Sequence, residues 1–525
     1  MKLADLLQSI EVLNTIHQQE LTIRGISYHS KKVMPGDLFI CVRGLKTDGH
    51  KYLPQAIANG AVAAVVEEFN KDYAIPQYLV KDGRLALANL GAAFYDYPAK
   101  KMKMIGITAT NGKTTTSYMT NAILEKEGLK TGLIGTVSIK IDDVSIPAEL
   151  TTPESLDLQS YLNQMVECGV SHVTMEVSSQ ALEMNRVEDV EYDIVTLNNI
   201  SREHIDSHGS FERYFEVKSS LIRNASEKSF AVLNLDDSYS ASLVNKTKAQ
   251  VITFGVNNKD GHIHCKNLDL TTGRGKFTVE IVKGFKVNDT EYIPGEFDIE
   301  LSVPGLHSVY NSMVAITISL LCGVSVSTIQ ETLRNFAGVE RRFEFIFEDD
   351  MKIIDDHFAN AGNINVTLGT LKYMTYKKLH IVYAIRGNRG PTVNRENAET
   401  IVSWAEKLGI NEITATKSVS HVTEKDTVSD EEQQVFEEVM ANAKIKVNLV
   451  EELPEAIAKA LGEATAGDLV LLAGCQGMDY GAEIALHQLE KLKTNISKEK
   501  LFLPLRTRVV GHEEKDLITT HLMEE

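Results

Sequence analysis

A loop at residues 106–115 carries the residue types best suited to bind phosphate. It reads Gly-Ile-Thr-Ala-Thr-Asn-Gly-Lys-Thr-Thr, follows a short apolar run and precedes a helical pattern at residues 117–129. When a strand, a loop of small residues and a helix follow in this order, backbone N–H groups at the helix start face the phosphates. Lys113 would neutralise charge, and the Thr114 hydroxyl would bind Mg²⁺. The loop therefore predicts a phosphate-binding site, although Ile107 occupies the position of the first glycine in the common P-loop pattern.

One further residue, Glu176, would complete such a site. Glu176 lies in the apolar run 172–177, and a carboxylate at the end of a strand near a phosphate loop suits Mg²⁺. His204 lies in a polar stretch at residues 203–208, and Lys218 lies in a helical pattern. Each has an ordinary alternative, namely a surface acid, a polar loop and an exposed helical lysine.

The size, charge and cysteine content of the chain limit its class. At 525 residues it is long enough for about three domains of roughly 150 residues each. A net charge of −18 argues against nucleic acid or an anionic membrane surface as a partner, and no apolar run reaches the length of a transmembrane helix. The N-terminus has no signal-peptide pattern. Five scattered cysteines without a Cys-x-x-Cys pair predict free thiols in a reducing cytoplasm.

Alternating apolar runs and helical patterns predict an α/β protein with three domains. Residues 1–100 mix short strands and helices. Residues 101–338 have the pattern of a parallel sheet with ligands at the carboxyl ends of its strands, and the part from 250 to 303 alternates like an antiparallel insertion. Residues 339–497 form a second alternating unit. The charged residues 498–525 have no core pattern, which predicts a mobile tail.

The phosphate loop resembles that of the Mur ligases, ATP-dependent enzymes that form amide bonds in cell-wall synthesis. Other segments match the same family: Thr151–Ser155, Met175–Ser179, Glu203–His208, Phe211–Leu221, Asn234–Asp237, His307–Asn311 and Arg342–Glu344. The resemblance is greatest to the MurE-like branch, which adds the third residue to UDP-N-acetylmuramoyl-dipeptide. It is dense up to about residue 345 and thinner after it.

This resemblance implies a role for each predicted domain. Residues 1–100 would form a small N-terminal α/β domain that binds the UDP-sugar. Residues 101–338 would form a central P-loop ATPase domain with a parallel sheet, and residues 339–497 a Rossmann-like C-terminal α/β domain on the amino-acid side. The implied protein is a cytoplasmic monomer without a nucleic-acid partner and without membrane insertion.

The resemblance also implies ATP and two Mg²⁺ ions as cofactors. The residues that would bind the nucleotide are Thr108, Thr110, Asn111, Gly112, Lys113, Thr114, Thr115, Asn311, Arg342 and Asp355. The implied metal ligands are Thr114, Glu176, His204 and Lys218. In this family the matching lysine is a carbamate formed with CO₂, which would turn the cation of Lys218 into an anion. The implied catalytic residues are Lys113, Glu176, His204 and Lys218.

The family's acceptor is UDP-N-acetylmuramoyl-L-alanyl-D-glutamate, and the residues that would bind it are Ser30, Thr151, Thr152, Ser178 and Arg186. The acceptor carboxylate would attack the γ-phosphate of ATP, which gives an acyl phosphate and ADP, and an amino acid or amine would then displace the phosphate. Because the first step brings two anions together, the positive charges of Lys113 and Mg²⁺ are required. Arg389 would face the incoming amino acid.

Several positions depart from the family pattern. Ala109 stands where these ligases carry glycine, which is unfavourable if the loop needs a positive φ. In the third domain Thr-Lys-Ser-Val at 416–419 replaces the motif that selects diaminopimelate, and Gly-Cys-Gln-Gly-Met at 474–478 replaces Gly-Lys-Gly-His-Glu. Losing both partners of a charged side chain costs several kcal/mol of selectivity. The sequence therefore predicts that the added group is not diaminopimelate, and it contains no acidic selector for lysine.

Two alternatives stay open at this stage. The ligase chemistry could serve a specialised pathway with a different acceptor or amine, as the altered third domain allows. A non-catalytic nucleotide-sugar binding protein would also explain Ala109 and the altered third domain. Retention of Lys113, Thr114, Glu176, His204 and Lys218 argues against that second alternative.

Overall fold

Three large β-sheets follow one another along the chain, and each falls within one of the three predicted domains. The computed structural model of the protein describes residues 1–44, 47–201, 209–271, 273–287, 290–493, 496–506, 508 and 510–511. The chain packs into two compact units. The first unit consists of Met1–Thr110, Leu124–Val144 and Ala148–Thr253. The second consists of Asn111–Ile123, Ser145–Pro147 and Phe254–Glu525.

The first unit begins with a five-stranded sheet. Its elements are α1 (Leu3–Leu6), β1 (Asn14–Ile16), β2 (Ile26–Ser27), β3 (Leu38–Ile40), α2 (Leu53–Ala58), β4 (Ala63–Val66), β5 (Gln77–Leu79) and α3 (Gly83–Phe94). The strand order is β1-β5-β4-β3-β2, and only β1 runs antiparallel to its neighbour. β3 and β4 are completely buried, as expected for apolar strands of a parallel sheet covered on both faces.

The central sheet follows in the chain. Its strands and helices are β6 (Lys103–Thr108), α4 (Lys113–Lys126), β7 (Thr131–Ile134), β8 (Ser138–Ile141), β9 (Val144–Pro147), α5 (Ser155–Glu167), β10 (His172–Glu176), α6 (Ser179–Glu183), β11 (Ile194–Leu197), α7 (Phe211–Arg223), β12 (Phe230–Asn234), α8 (Ser238–Ala241) and β13 (Gln250–Gly255). Within the first unit the order is β13-β12-β11-β6-β10-β7-β8, and the strands from β12 to β7 are parallel. Ile107 lies opposite Glu176 and Thr196, so the carboxyl ends of these strands meet at one edge.

The helix after the phosphate loop begins earlier than the sequence pattern predicted. α4 begins at Lys113 rather than at residue 117. Gly112, directly before it, has a φ of +86°, which lets the loop turn into the helix at once. The three threonines at 114–116 concealed this start because β-branched residues have a low helix propensity.

A segment of antiparallel strands opens the larger part of the second unit. Its elements are β14 (Ile263–Asp269), β15 (Arg274–Ile281), β16 (Phe285–Val287), β17 (Thr290–Tyr292), β18 (Gly295–Pro304), α9 (Leu306–Leu321) and α10 (Val326–Asn335). β15 pairs antiparallel with β14 and β18, and β16 and β17 form a separate hairpin, which confirms the predicted insertion. One difference is that Phe254 and Gly255, at the end of β13, pair in parallel with β14.

The remaining sheet of the second unit also alternates with helices, as predicted. Its elements are β19 (Glu344–Glu348), β20 (Lys352–His357), α11 (Ala361–Leu371), β21 (Leu379–Ala384), α12 (Gly390–Leu408), β22 (Glu412–Thr416), α13 (Asp430–Asn442), β23 (Lys446–Val450), α14 (Leu453–Glu463), β24 (Leu469–Gly474), α15 (Gly481–Leu492) and α16 (Lys498–Leu501). The order is β19-β20-β24-β21-β22-β23, with only β19 antiparallel. Tyr383 belongs to the core on one face and Val382 to the core on the other. No helix in the described ranges is both long and apolar enough to cross a membrane.

The prediction of a mobile tail from residue 498 is wrong for the part that the structure describes. Leu501 and Leu505 join the same core as Val382, and Arg508 is only 1% exposed. A few buried side chains in such a short segment give no periodicity that would distinguish it from a solvated tail. Residues 512–525 lie outside the described residues.

Candidate active site

Glu176 ends β10 at the carboxyl edge of the central sheet, and its side chain is completely buried. Both carboxylate oxygens accept hydrogen bonds from Thr136, one from the backbone N–H and one from the hydroxyl, each at 3.0 Å. Gly135 makes this approach possible, because a Cβ atom there would collide with Glu176 Oε1. Thr136 was not predicted from the sequence, since it lies 40 residues before its partner.

Lys218 lies on α7 and is 2% exposed. Its Nζ donates to the Ala109 carbonyl at 2.7 Å and to Thr108 Oγ1 at 3.3 Å, and it lies 5.2 Å from the centre of the Tyr214 ring. The Thr108 hydroxyl donates to the Val177 carbonyl at 2.8 Å. The structure therefore brings Lys218 to the strand end that carries the phosphate loop. The alternative of an exposed helical lysine is excluded.

Thr110 and Ala109 form the part of the phosphate loop that belongs to the first unit. The Thr110 N–H donates to the Asn199 carbonyl at 3.0 Å, and Thr110 Oγ1 accepts from the Ser201 N–H at 3.0 Å. Ala109 is completely buried, and it is not among the residues with positive φ. Its methyl group thus carries no backbone penalty, which removes the conformational objection to alanine at this position.

Four predicted acceptor-binding residues lie together beside Glu176. The Thr152 hydroxyl donates to the Glu176 carbonyl at 2.8 Å and accepts from the Ser178 N–H at 3.1 Å. Thr151 Oγ1 lies 3.1 Å from Thr136 Oγ1. Arg186 is buried and donates to the Thr152 carbonyl at 3.2 Å.

Arg186 is also paired with Glu154 at 2.7 Å, and Glu154 pairs with Arg84 of the N-terminal sheet region at 3.3 Å. An anionic ligand at Arg186 would therefore share the guanidinium with Glu154. Ser30, the fifth predicted acceptor residue, donates to Gln55 Oε1 at 2.8 Å. Across the described ranges no hydrogen bond joins Ser30 to the other four.

A second link with the N-terminal sheet was not predicted. The Tyr28 hydroxyl donates to Asp157 Oδ2 at 2.5 Å, which connects the end of β2 to α5. Burial raises the pKa of Tyr28 and also that of Asp157. Tyr28 therefore keeps its proton and acts as the donor.

In the second unit the remaining loop residues meet two asparagines. Gly112 packs so closely against Asn311 that a Cβ atom at residue 112 would collide with Asn311 Oδ1. The Thr116 hydroxyl donates to the same oxygen at 3.4 Å. Asn363, which the sequence did not indicate, donates to Asn111 Oδ1 at 3.1 Å. Asn111, Gly112 and Asn311 are thus brought together, and Lys113, Thr114 and Thr115 form the first turn of α4.

Asp355 lies in an internal ion-pair cluster of the third sheet. It is completely buried and pairs with Arg508, and its Oδ1 lies 3.6 Å from Arg341 Nε. Arg508 also pairs with Glu344 at 2.9 Å. Burial raises the pKa of Glu344, and the charge of Arg508 opposes this rise. A nucleotide contact of Asp355, as predicted, would require this cluster to open.

Arg341, next to the predicted nucleotide-binding residue Arg342, is the buried arginine of this region. Arg341 pairs with Asp479 and donates to the carbonyls of Gly474 and Cys475 at 2.6 and 3.0 Å. The side chain of Arg342 is only half-buried and makes no hydrogen bond within the residues that the structure describes. Neighbouring basic residues have the same local pattern, so only the fold distinguishes them.

Arg389, predicted to face the amino acid, has a side chain that is 38% exposed and lies 3.4 Å from Asp426. Ser418 lies in the segment that replaces the diaminopimelate selector, and its hydroxyl donates to the Gly477 carbonyl. The two divergent segments are therefore bonded to each other.

The donor set at Glu176 fits a hard divalent cation. A carboxylate has about four acceptor positions, so the two bonds from Thr136 are compatible with a metal on the same group. His204 lies outside the described residues. Among the described ones, no group of three or more His, Cys, Asp or Glu residues could by itself hold a metal ion.

Three regions of the chain match descriptions of Mur ligase domains. Residues 22–95 match the Mur ligase family, catalytic domain; residues 107–319 match the Mur ligase middle domain; residues 341–476 match the Mur ligase, glutamate ligase domain.

Two curated relatives carry the name UDP-N-acetylmuramoyl-L-alanyl-D-glutamate–2,6-diaminopimelate ligase. The protein from Caldanaerobacter subterraneus subsp. tengcongensis is 34% identical over 481 residues, which cover 90% of this chain and 94% of that protein. The protein from Geobacillus thermodenitrificans is 34% identical over 462 residues, which cover 86% and 89%.

Among solved structures, MurF from Acinetobacter baumannii has a TM-score of 0.64 at 21% identity and covers 93% of this chain and 98% of its own. A structure of a UDP-N-acetylmuramoyl-L-alanyl-D-glutamate–2,6-diaminopimelate ligase has a TM-score of 0.64 at 20% identity, with coverage of 94% and 99%. These likenesses establish the three-domain α/β fold, and together with the relatives they establish the family. The chain belongs to the Mur ligase family.

Proposed function

We propose that the protein is an ATP-dependent ligase that joins an amino acid or amine to the carboxylate of UDP-N-acetylmuramoyl-L-alanyl-D-glutamate, or of a close relative, in peptidoglycan precursor synthesis. The observation that carries the proposal is the position of Glu176. Its buried carboxylate lies at the same sheet edge as Thr151, Thr152 and Ser178. A metal carboxylate beside an acceptor site is the arrangement that phosphoryl transfer to a carboxylate needs. Two relatives named for this acceptor, each 34% identical to the chain, support the same proposal.

The reaction has two steps. The acceptor carboxylate attacks the γ-phosphorus of ATP, the bond to the β,γ-bridging oxygen breaks, and ADP leaves. The amine nitrogen then attacks the acyl carbon of the resulting acyl phosphate, and phosphate leaves with its electron pair as the nitrogen loses a proton. Mg²⁺, when bound through Thr114, Glu176, His204 and Lys218, would supply positive charge to the phosphates. Lys113 would supply further positive charge, and Thr108 and Thr110 hold the loop on the strand end.

Lys218 is proposed to act as a carbamate. A neutral lysine amine adds to CO₂ to give a carbamate and a proton. A carbamate nitrogen keeps one N–H, which can still donate to the Ala109 carbonyl that Lys218 contacts at 2.7 Å. The modified side chain would then carry a negative charge suited to a second Mg²⁺.

The added amine is proposed to differ from diaminopimelate. Thr416–Val419 contains neither an arginine nor an acid that would pair with the distal end of diaminopimelate. Ser418 is bonded to Gly477, and Arg341 is bonded to Gly474 and Cys475, so both divergent segments use their polar groups internally. The names of the relatives describe enzymes that share only about a third of their residues with this chain. The amine of these relatives is therefore not carried over to this chain.

We also propose a cytoplasmic monomer. Cys41, Cys168 and Cys475 are free thiols, and Cys41 and Cys475 are buried, which fits a reducing compartment.

Mass spectrometry of the reaction products tests the proposed function. The full-length protein is incubated with ATP, Mg²⁺, bicarbonate, UDP-N-acetylmuramoyl-L-alanyl-D-glutamate and a pool of amino acids and amines. A product with the mass of the acceptor plus one amine minus water is expected, and its mass identifies the amine. If neither this product nor ADP forms, the proposed acceptor is wrong, and a different acceptor or a binding protein without catalysis becomes the better description.

A further inference from the structure

We propose that Thr136 is a positioning residue that links the acceptor site to the metal-binding carboxylate. It would do so through a directional relay of hydrogen bonds from Thr151 through Thr136 to Glu176. The inference rests on the proposed function, and it adds a residue that the sequence motifs do not contain.

The relay consists of three contacts, all made by Thr136, which lies in a turn of the chain. Thr136 lies between β7 and β8 and donates to Glu176 through its N–H and its hydroxyl, each at 3.0 Å. Its hydroxyl oxygen lies 3.1 Å from Thr151 Oγ1. Gly135 closes the turn through a bond from its N–H to the Ser138 carbonyl at 3.1 Å. The Thr136 hydroxyl is therefore the atom through which the side chains of Thr151 and Glu176 are connected.

The direction of the relay follows from a count of protons. The Thr136 hydroxyl donates to Glu176 Oε2, so its single proton is used on this carboxylate. The contact between Thr136 and Thr151 then requires the proton of Thr151. With its proton used, Thr151 presents only lone pairs to a ligand. A group of the acceptor that binds Thr151 must consequently be a donor, either a hydroxyl or an amide N–H.

The relay orders the same three side chains for two ligands. A metal that fixes Glu176 also fixes the Thr136 hydroxyl. An acceptor that fixes Thr151 also fixes the Thr136 hydroxyl, through the contact between the two threonines. Because the ordering cost is shared, each ligand is expected to bind more tightly when the other is present. Groups that orient metal ligands typically contribute a factor of about 10 to 100 in metal affinity.

Three substitutions separate this role from a structural one. Thr136→Val has nearly the same shape and keeps the backbone N–H but lacks the hydroxyl, whereas Thr136→Ser keeps the hydroxyl. Thr174→Val is the matched control, because Thr174 lies on the same strand as Glu176, is buried, and has a hydroxyl without a hydrogen-bond partner in the described part of the chain.

The measurement is Mn²⁺ binding to the full-length protein by electron paramagnetic resonance, without ATP, in the presence and absence of UDP-N-acetylmuramoyl-L-alanyl-D-glutamate. For the wild type, the acceptor should tighten Mn²⁺ binding by about fivefold or more. Thr136→Val should bind Mn²⁺ about tenfold more weakly and should lose the effect of the acceptor. Thr136→Ser and Thr174→Val should behave like the wild type. Thermal melting of each variant checks that the fold is retained.

The inference is overturned if Thr136→Val binds Mn²⁺ as tightly as the wild type. It is also overturned if the acceptor effect persists in Thr136→Val, or if Thr174→Val loses affinity to the same extent. Failure of the proposed function has a different signature, since the wild type itself would then neither bind the acceptor nor form product. In that case the comparison of Mn²⁺ affinities without acceptor still tests whether Thr136 positions Glu176.

Discussion

Two buried carboxylates, one in each unit, are held in different ways. Glu176 accepts hydrogen bonds from the N–H and the hydroxyl of Thr136, both of which are neutral donors. Asp355 instead pairs with the guanidinium groups of Arg508 and Arg341. Neutral donors orient a carboxylate without cancelling its charge, so these two bonds are compatible with a cation on Glu176. Arginine partners cancel the charge of Asp355 and make it part of the packing.

The different partners of the two carboxylates predict which substitutions reduce activity and which reduce stability. Changes at the edge of the central sheet are expected to reduce ligation more than stability. Changes in the ion-pair cluster of the third sheet are expected to reduce stability more directly than chemistry.

The largest expected effect is that of Lys218→Ala on activity. Ligation should fall by about a thousandfold or more, because the variant lacks the group proposed to carry the carbamate. Acceptor affinity should stay close to that of the wild type, since Lys218 bonds to Ala109 and Thr108 rather than to the acceptor residues. Product formation and calorimetric titration with the acceptor measure the two quantities.

Arg213→Ala is the control for this experiment, because Arg213 lies on the same helix and its side chain is 50% exposed. It should retain full activity. Full activity in Lys218→Ala would show that no carbamate is needed at this position.

The next largest effect is expected from Arg508→Met. The substitution leaves Asp355 and Glu344 buried without their common partner, which should cost about 3–5 kcal/mol in the free energy of unfolding of the third domain. Urea denaturation of each variant measures this change. Arg506→Ala, in the same segment, removes an exposed pair with Glu499 and should cost at most about 1 kcal/mol. Equal stability of the two variants would contradict the structural role of Arg508.

A smaller effect is expected in the phosphate loop. Gly112→Ala forces a positive φ on alanine and places a methyl group against Asn311. The strain of about 1–2 kcal/mol should weaken ATP binding by about tenfold. The reverse exchange, Ala109→Gly, should change ATP affinity by less than about threefold, because Ala109 has no positive φ. Calorimetric titration with a non-hydrolysable ATP analogue measures the affinity of both variants. Stronger weakening by Ala109→Gly than by Gly112→Ala would show that the strain lies elsewhere.

The smallest effect concerns the pH dependence of stability. Burial lowers the pKa of His307 to about 4. Between its ordinary pKa of about 6.5 and pH 4, the unfolded chain binds a proton that the folded chain does not. Stability should therefore rise with pH across this window, with a slope of at most about 1.4 kcal/mol per pH unit from this group.

His307→Gln should show a smaller loss of melting temperature between pH 7 and pH 5 than the wild type. His172 of the first unit can be compared with His307, since burial also lowers the pKa of His172 to about 4. His487→Gln serves as an exposed control and should leave the acid sensitivity unchanged. An unchanged acid sensitivity in His307→Gln would mean that other groups dominate the pH dependence.

The parts of the protein that were predicted correctly depend on patterns in consecutive residues. The alternating α/β pattern of residues 339–497 followed from apolar runs, which include the observed strands Lys352–His357 and Glu412–Thr416. The strand, loop and helix at residues 103–126 followed from an apolar run, small residues and a helical pattern. The tail was predicted wrongly, because Leu501, Leu505 and Arg508 are buried without a periodic pattern. Local reasoning could not show which of the adjacent residues Arg341 and Arg342 is buried, since the two differ only in what the fold places beside them.

The sequence by itself determined the α/β class and the position of the phosphate loop, because both depend on short-range patterns that consecutive residues express directly. The place of Glu176 and Lys218 in one candidate site is a prediction that the family resemblance implied. Only the tertiary structure decided that Thr136 holds Glu176 from 40 residues away and that Arg508 holds Asp355 from 153 residues away. Such pairs form because strand order and the return of the chain bring distant side chains together, and hydrogen-bond geometry, not local periodicity, selects the partner.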